Sequence, residues 1–398
     1  MKDLKHLIYF ENLLDNANNE LVQKAKEEGQ LALGFTCYHM PEVLLNVDNC
    51  FSVRLRAPNT GSLDVASYYM SNYTCEFCRA LLERAIEGGY NFLDGLCGVD
   101  ACAEMNRCME NIELLKCVDK PNFFVTHADI PYKDTDYTLK HYVTQMQNRV
   151  LNTMHEKLGV DVSDAAIRKS VAAHNEICDI ITEISELRKA ENPPLTGYEF
   201  HIINMCTFAC PQKLILPYLR ETLAEIKKRK LDPKPWYRCR VGIVGSEIDD
   251  PNLTKMLEDA GAFIAFDRFC FGAIPGRERI DLNDDEPALV QVCRHYLASS
   301  ECPRFMSDEK IDQRRVTADR LAREFNTDGI VFENVKFCDF WGFERALASH
   351  IQYEEYGHPV LTIDRPYNAR TSGQLRTRFQ AFVESLEIKR IQKGKGDK

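Results

Sequence analysis

The chain has no long apolar leader. Its first hydrophobic run, Leu7-Ile8-Tyr9-Phe10, stops at Glu11, whereas a signal peptide needs about 7–15 apolar residues and a membrane span about 20. The expectation is a cytoplasmic protein with no membrane attachment. An excess of positive charge is missing too. Sixty acidic residues against fifty basic ones leave a formal charge of −10, and a nucleic-acid surface would need clustered Lys and Arg to neutralise phosphates. The only basic cluster, Lys389 to Lys398, reads as a solubilising tail. A phosphate-cradling loop is also lacking. Gly242-Ile243-Val244-Gly245 has neither the full glycine fingerprint nor a Walker lysine, so this chain is not expected to bind ATP. Low-complexity tracts are absent, and with 44% hydrophobic and 28% charged residues the composition is that of a globular protein.

Cysteine, by contrast, is abundant. Sixteen of 398 residues are Cys, in a compartment where thiols stay reduced and disulfides are rare. Cys178, Cys239 and Cys293 fall within apolar periodic segments and read as small buried hydrophobes. Cysteines at strand ends and in loops are better placed to give thiolates to a soft metal centre.

Short apolar runs at residues 31–35, 51–55, 92–97 and 122–127 alternate with helical patterns at 75–87 and 137–158. A second series of strands, at 240–245, 263–266, 329–335 and 359–363, alternates with helices at 286–298, 308–325 and 343–356. Alternation of this kind predicts parallel sheets with right-handed crossovers. Between the two series lie helical patterns over 162–190 and 212–230, followed by the polar, Pro-containing stretch Lys230 to Pro235. The expected fold is α/β, with two Rossmann-like parallel-sheet domains joined by a helical segment. The expected boundaries are 1–160, 161–235 and 236–398.

In open α/β sheets ligands collect outside the carboxyl ends of the strands. Cys102 and Cys338 follow the runs 92–97 and 329–335, and Cys75 opens the helical pattern 75–87, where a helix N-terminus favours thiolate. Three thiolates could therefore meet between the domains and leave one iron of a four-iron cluster without a cysteine. Taken alone, this leaves other triples of the sixteen cysteines open. Zinc is the competitor, because Cys75-Glu76-Phe77-Cys78 is a Cys-x-x-Cys pair. Its nearest counterpart, Cys206 with Cys210, is wider and more than a hundred residues away, unlike a zinc ribbon. Cys78 falls one turn into the helix and reads as core.

Several segments carry a resemblance. They are Gly34-Phe35-Thr36-Cys37-Tyr38-His39-Met40-Pro41-Glu42, Tyr73-Thr74-Cys75 with Arg79, Phe92-Leu93-Asp94-Gly95 running to Cys102, and Gly245 to Pro251. Asp267 to Gly272, Cys302-Pro303, Val335 to Asp339 and Ser372 to Arg378 complete the series. In this order they resemble the 2-hydroxyacyl-CoA dehydratase and benzoyl-CoA reductase family, specifically its D-component subunits, over residues 34 to 378. The resemblance implies a 4Fe-4S cluster on Cys75, Cys102 and Cys338, in each of two related subunits forming a heterodimer or homodimer. It further implies an acyl-CoA substrate and a separate ATP-dependent iron–sulfur activator that delivers one electron. Formation of a ketyl radical would then let a 2-hydroxyacyl-CoA lose water.

Two departures stand out. Family members often carry Asp directly after the second ligand, whereas Ala103 and Glu104 follow Cys102 here, and Cys78, Cys97 and Cys108 are extra thiols. The alternatives are a benzoyl-CoA reductase-type subunit, an inactive scaffold, and a relative that holds a double-cubane 8Fe-9S cluster on about six cysteines and reduces small molecules. Cys37, Cys270 and Cys302, added to the three above, would supply that number. Gly373-Gln374 reads equally as backbone donors toward a cluster or as an ordinary helix start.

Overall fold

A computed structural model describes residues 2–368 and 372–396 of the chain. Strands β1 (Leu31–Phe35), β2 (Cys50–Arg54), β3 (Gly95–Asp100) and β4 (Phe124–Asp129) form one sheet in the order β2-β1-β3-β4. Strands β5 (Cys239–Gly245), β6 (Ala262–Phe269), β7 (Gly329–Val335) and β8 (Val360–Arg365) form a second in the order β6-β5-β7-β8. Every pairing is parallel, so the two Rossmann-like sheets expected from the alternation are present. The order is the same in both, which makes β3 the counterpart of β7 and β1 the counterpart of β5.

Helices on both faces explain why the strands are apolar without alternation. Every residue of β5, β6 and β7 is buried. Gly242 is required for this packing, because a Cβ there would stand 2.1 Å from the Phe266 ring. The glycines of that turn thus serve close packing, in keeping with the absence of a phosphate fingerprint.

Some elements differ from expectation. β3 begins at Gly95 rather than Phe92, because Asp94 is held at the strand entrance, its carboxylate accepting the Ala32 N–H at 2.7 Å. Cys102 therefore lies only two residues beyond the strand. The pattern at 137–158 is interrupted by a π-helical turn, Met146–Leu151. The helix expected from Phe343 starts at Asp339, directly after Cys338.

Between the sheets run the helices Asp164–Glu186, Gly197–Ala209 and Gln212–Lys228. The middle one has no amphipathic pattern and is not apparent from sequence, since all its residues except Tyr198 are buried and no polar stripe marks its period. Its start is a capping box: Thr196 Oγ1 accepts the Glu199 N–H at 3.0 Å and Glu199 Oε2 accepts the Thr196 N–H at 2.8 Å. It packs on helix Leu7–Leu14, on β2 and on β6, so one hydrophobic core runs through both halves. Among the described residues, no helix is long and apolar enough to cross a membrane.

Candidate metal centre

Strand order reverses between β1 and β3 in one sheet and between β5 and β7 in the other, and ligands gather at such switch points. Cys37 follows β1 and Cys102 follows β3, while Ser246 and Glu247 follow β5 and Cys338 follows β7. These carboxyl edges face a common cavity of about 110 Å³. Cys37, Cys75, Cys102, Cys270, Cys302 and Cys338 all line it, and so does Cys78. The structure thus brings all six sequence candidates together and adds a seventh.

Cys75, Cys102 and Cys338 share one local position. Each is the residue immediately before a helix: Glu76–Ile86, Ala103–Leu114 and Asp339–Glu354 respectively. Their sulfurs thus sit at the end where unpaired N–H groups and the positive end of the helix dipole stabilise negative charge. At Cys102 the sulfur accepts the Met105 N–H at 3.4 Å.

The thiols also act on one another electrostatically. The neighbouring Cys338 and Cys78 thiols hold the Cys75 thiol well below the usual range. Cys102 and Cys75 beside Cys78, and Cys75 beside Cys338, push the Cys78 and Cys338 thiols up. Cys37, Cys270 and Cys302 form a second group. Burial pushes the Cys37 thiol up to about 12 and raises Cys270 and Cys302 as well. Trp341 Nε1 donates to Cys270 Sγ at 3.3 Å, and Cys37 Sγ lies 3.5 Å from His39 Nδ1.

Two buried charges close the cavity. Arg54, at the end of β2, donates to the Cys270 carbonyl at 2.6 Å and to Glu247 Oε1 at 3.1 Å, and its guanidinium lies 4.3 Å from the Phe271 ring centre. Burial pushes the Glu247 carboxyl up to about 7, against the pull of Arg54. Arg54 Nε and Thr36 Oγ1 are buried without a hydrogen-bond partner, and both residues line the cavity.

The ligand loops are fixed from outside. Arg79 Nε donates to the Thr74 carbonyl at 3.2 Å, while exposed Tyr73 and Phe337 meet edge to face at 5.8 Å. Glu104 hydrogen-bonds Asp339 across two helix starts, and burial with that neighbour raises its carboxyl.

Other sequence candidates lie elsewhere. Cys178, Cys239 and Cys293 are core residues as expected. Cys206 bonds the Phe10 carbonyl at 3.6 Å and Cys210 accepts from Asn19 at 3.6 Å, so the wider pair takes no part in the cavity. Ser372 Oγ accepts the Leu375 N–H at 3.2 Å, and Gly373 and Gln374 do not line the cavity; an ordinary helix start accounts for them. Residues 369–371 and 397–398, the last within the basic tail, lie outside the described residues. Cys78 is core, as its place one turn into the helix implies, and it also borders the cavity, for which its Cys-x-x-Cys spacing is a signal. Nothing local in sequence pairs Arg54 with Glu247.

Among the described residues, no three His, Cys, Asp or Glu donors converge on one point as a single ion would need. A polynuclear cluster takes about one thiolate per iron, so its ligands ring it instead. A ring of free thiols with a buried guanidinium and helix N-termini fits such an anionic group.

Residues 37–386 match the sequence model of the family described as 2-hydroxyglutaryl-CoA dehydratase, D-component. The chain is 23% identical to the (R)-phenyllactyl-CoA dehydratase beta subunit of Clostridium sporogenes, over 95% of this chain and 97% of that one. It is 22% identical to the beta subunit of the (R)-2-hydroxyglutaryl-CoA dehydratase of Acidaminococcus fermentans, over 92% and 95%. It is 21% identical to one of the subunits of the benzoyl-CoA reductase of Thauera aromatica, over 81% of each chain.

Proposed function

Since this chain belongs to the 2-hydroxyglutaryl-CoA dehydratase D-component family, we propose that it is the iron–sulfur subunit of a dehydratase that removes water from a 2-hydroxyacyl-CoA. The observation that carries this reading is the position of Cys75, Cys102 and Cys338. They come from three loops and both sheets, each at a helix N-terminus, and they line one cavity. These three thiolates would hold a 4Fe-4S cluster. When bound, it supplies one-electron transfer and a Lewis-acidic iron.

The chain's own residues do the rest. Phe340 and Trp341 wall the cavity and keep water from it, while Arg54 and the three helix N-termini offset the charge of the thiolates. In this reading the enzyme is completed by a second, related subunit, and a separate ATP-dependent iron–sulfur activator supplies the electron. The beta-subunit names of the dehydratase relatives support the multi-subunit part. Residues 1–160, 161–235 and 236–398 act as two sheet domains and a helical connector, and limited proteolysis at the exposed stretch 230–236 tests that division.

A second reading has its own observation. Cys37, Cys270 and Cys302 share the cavity with the first three, the number that a double-cubane cluster requires, which would make the chain a reductase of small molecules. Anaerobic iron and sulfide analysis with electron paramagnetic resonance separates the two: about four irons per chain supports the dehydratase-type cluster and about eight the double cubane. Absence of iron after anaerobic loading overturns both in favour of a scaffold subunit. Assay of the acyl product then distinguishes dehydration from benzoyl-CoA reductase-type reduction.

A further inference from the structure

Resting on the reading that the cavity holds an iron–sulfur cluster, we propose that Cys78 is a fourth thiolate ligand, closing in the resting protein the iron that Cys75, Cys102 and Cys338 leave open. Cys78 is 2% exposed and lines the same cavity as Cys75 and Cys102. Two of the three proposed ligands, Cys75 and Cys102, are the thiols that act on it most strongly. Two of the other three thiols of the cavity are engaged elsewhere, Cys270 with the Trp341 N–H and Cys37 with His39.

Local geometry agrees. Residues three apart at a helix start lie on one face of the helix, and a Cys-x-x-Cys step is a recurrent spacing of iron–sulfur ligands. Because Cys75 is the residue before helix Glu76–Ile86, Cys78 reaches the same cavity from the third helical position. On ligation the Cys78 S–H bond breaks, the proton passes to solvent and an iron–sulfur bond forms, with no change in electron count.

A cluster held by four thiolates is closed to exogenous ligands. Cys78 therefore acts as a cap, and an acyl oxygen reaches iron only after Cys78 has left. The cap would also keep the fourth iron from dissociating on oxidation.

The test uses the full chain, loaded anaerobically and treated with excess ferricyanide. Wild type is expected to keep its irons and show no three-iron paramagnetic signal. Cys78→Ala is expected to lose one iron in four and show that signal, and Cys78→Ser to retain more iron than Cys78→Ala. Equal iron loss in wild type and Cys78→Ala overturns the proposal. If Cys78→Ala cannot be loaded, wild type decides. Cyanide is expected to leave the paramagnetic spectrum of its reduced cluster unchanged, and a cyanide-shifted signal overturns the cap. Failure of the cluster reading itself is seen separately, as absence of iron and sulfide from the wild-type chain after anaerobic loading.

Discussion

Glu76 donates its backbone N–H to the Lys336 carbonyl at 3.2 Å, and this bond joins the helix start that carries Cys75 to the loop that carries Cys338. The two loops belong to different sheets, so the thiol pair they present is a product of the interface between them. The Glu76 carboxylate reinforces the link by accepting the Tyr367 N–H at 2.6 Å.

Cys338→Ser is expected to lower iron content markedly and to bleach the visible absorption of the anaerobically loaded chain, because an alcohol is a poorer ligand for iron than a thiolate. Iron analysis with absorption spectroscopy checks this. Unchanged iron and an unchanged spectrum would sink the assignment of Cys338.

Cys270→Ala and Cys302→Ala separate the two cluster readings. Under the single-cluster reading both variants keep about four irons per chain. A parent value near eight that falls by about half in either variant would favour the double cubane.

Arg54→Met is expected to destabilise the fold by ~3–5 kcal/mol, because it leaves Glu247 buried without its partner. Urea unfolding measures the loss. Since burial already pushes Glu247 up to about 7, the added Glu247→Gln change should recover part of the loss at neutral pH. No recovery would mean that the ion pair is not the cause.

Glu42 sets a pH dependence. Burial works against its ionisation, yet Arg277 at 2.7 Å and His174 at 3.0 Å outweigh burial and hold the carboxyl down to about 2. A depressed folded pKa means that the native state binds fewer protons than the unfolded chain. The stabilisation is therefore full above the ordinary value of 4.5 and is lost as pH falls toward about 2. Glu42→Gln should be less stable than wild type near neutrality, and the gap should narrow steadily below about pH 4.5. Denaturant titrations at several pH values check it; a gap independent of pH would refute the assignment.

Phe337 adopts φ +66°, a left-handed conformation that costs an L-residue roughly 1–2 kcal/mol. With the ring removed in both variants, Phe337→Gly should be more stable than Phe337→Ala by about 1 kcal/mol, measured by thermal or urea unfolding. Equal stabilities would show that the backbone relaxes there.

Much of the fold was legible because its signals are local. Apolar runs such as Gly329–Val335 are buried on both faces and punctuated by loops, so their boundaries show in composition alone. Helix Gly197–Ala209 was not legible, since burial on every side erases the period that marks an amphipathic helix. The start of β3 was misplaced for a related reason: Phe92 and Leu93 are apolar but belong to the turn before Asp94.

The candidate site divides the same way. Cys102 and Cys338 could be singled out because they follow strands, and Cys75 because it opens a helix; strand ends and helix starts are encoded within a few residues. Whether these sulfurs meet is a matter of distance between segments far apart in the chain, and no periodicity reports it. The packing of both sheets around helix Gly197–Ala209 brings the carboxyl edges together. That packing decided that Cys37, Cys270 and Cys302 share the cavity, that Cys78 borders it from the core, and that Arg54 meets Glu247.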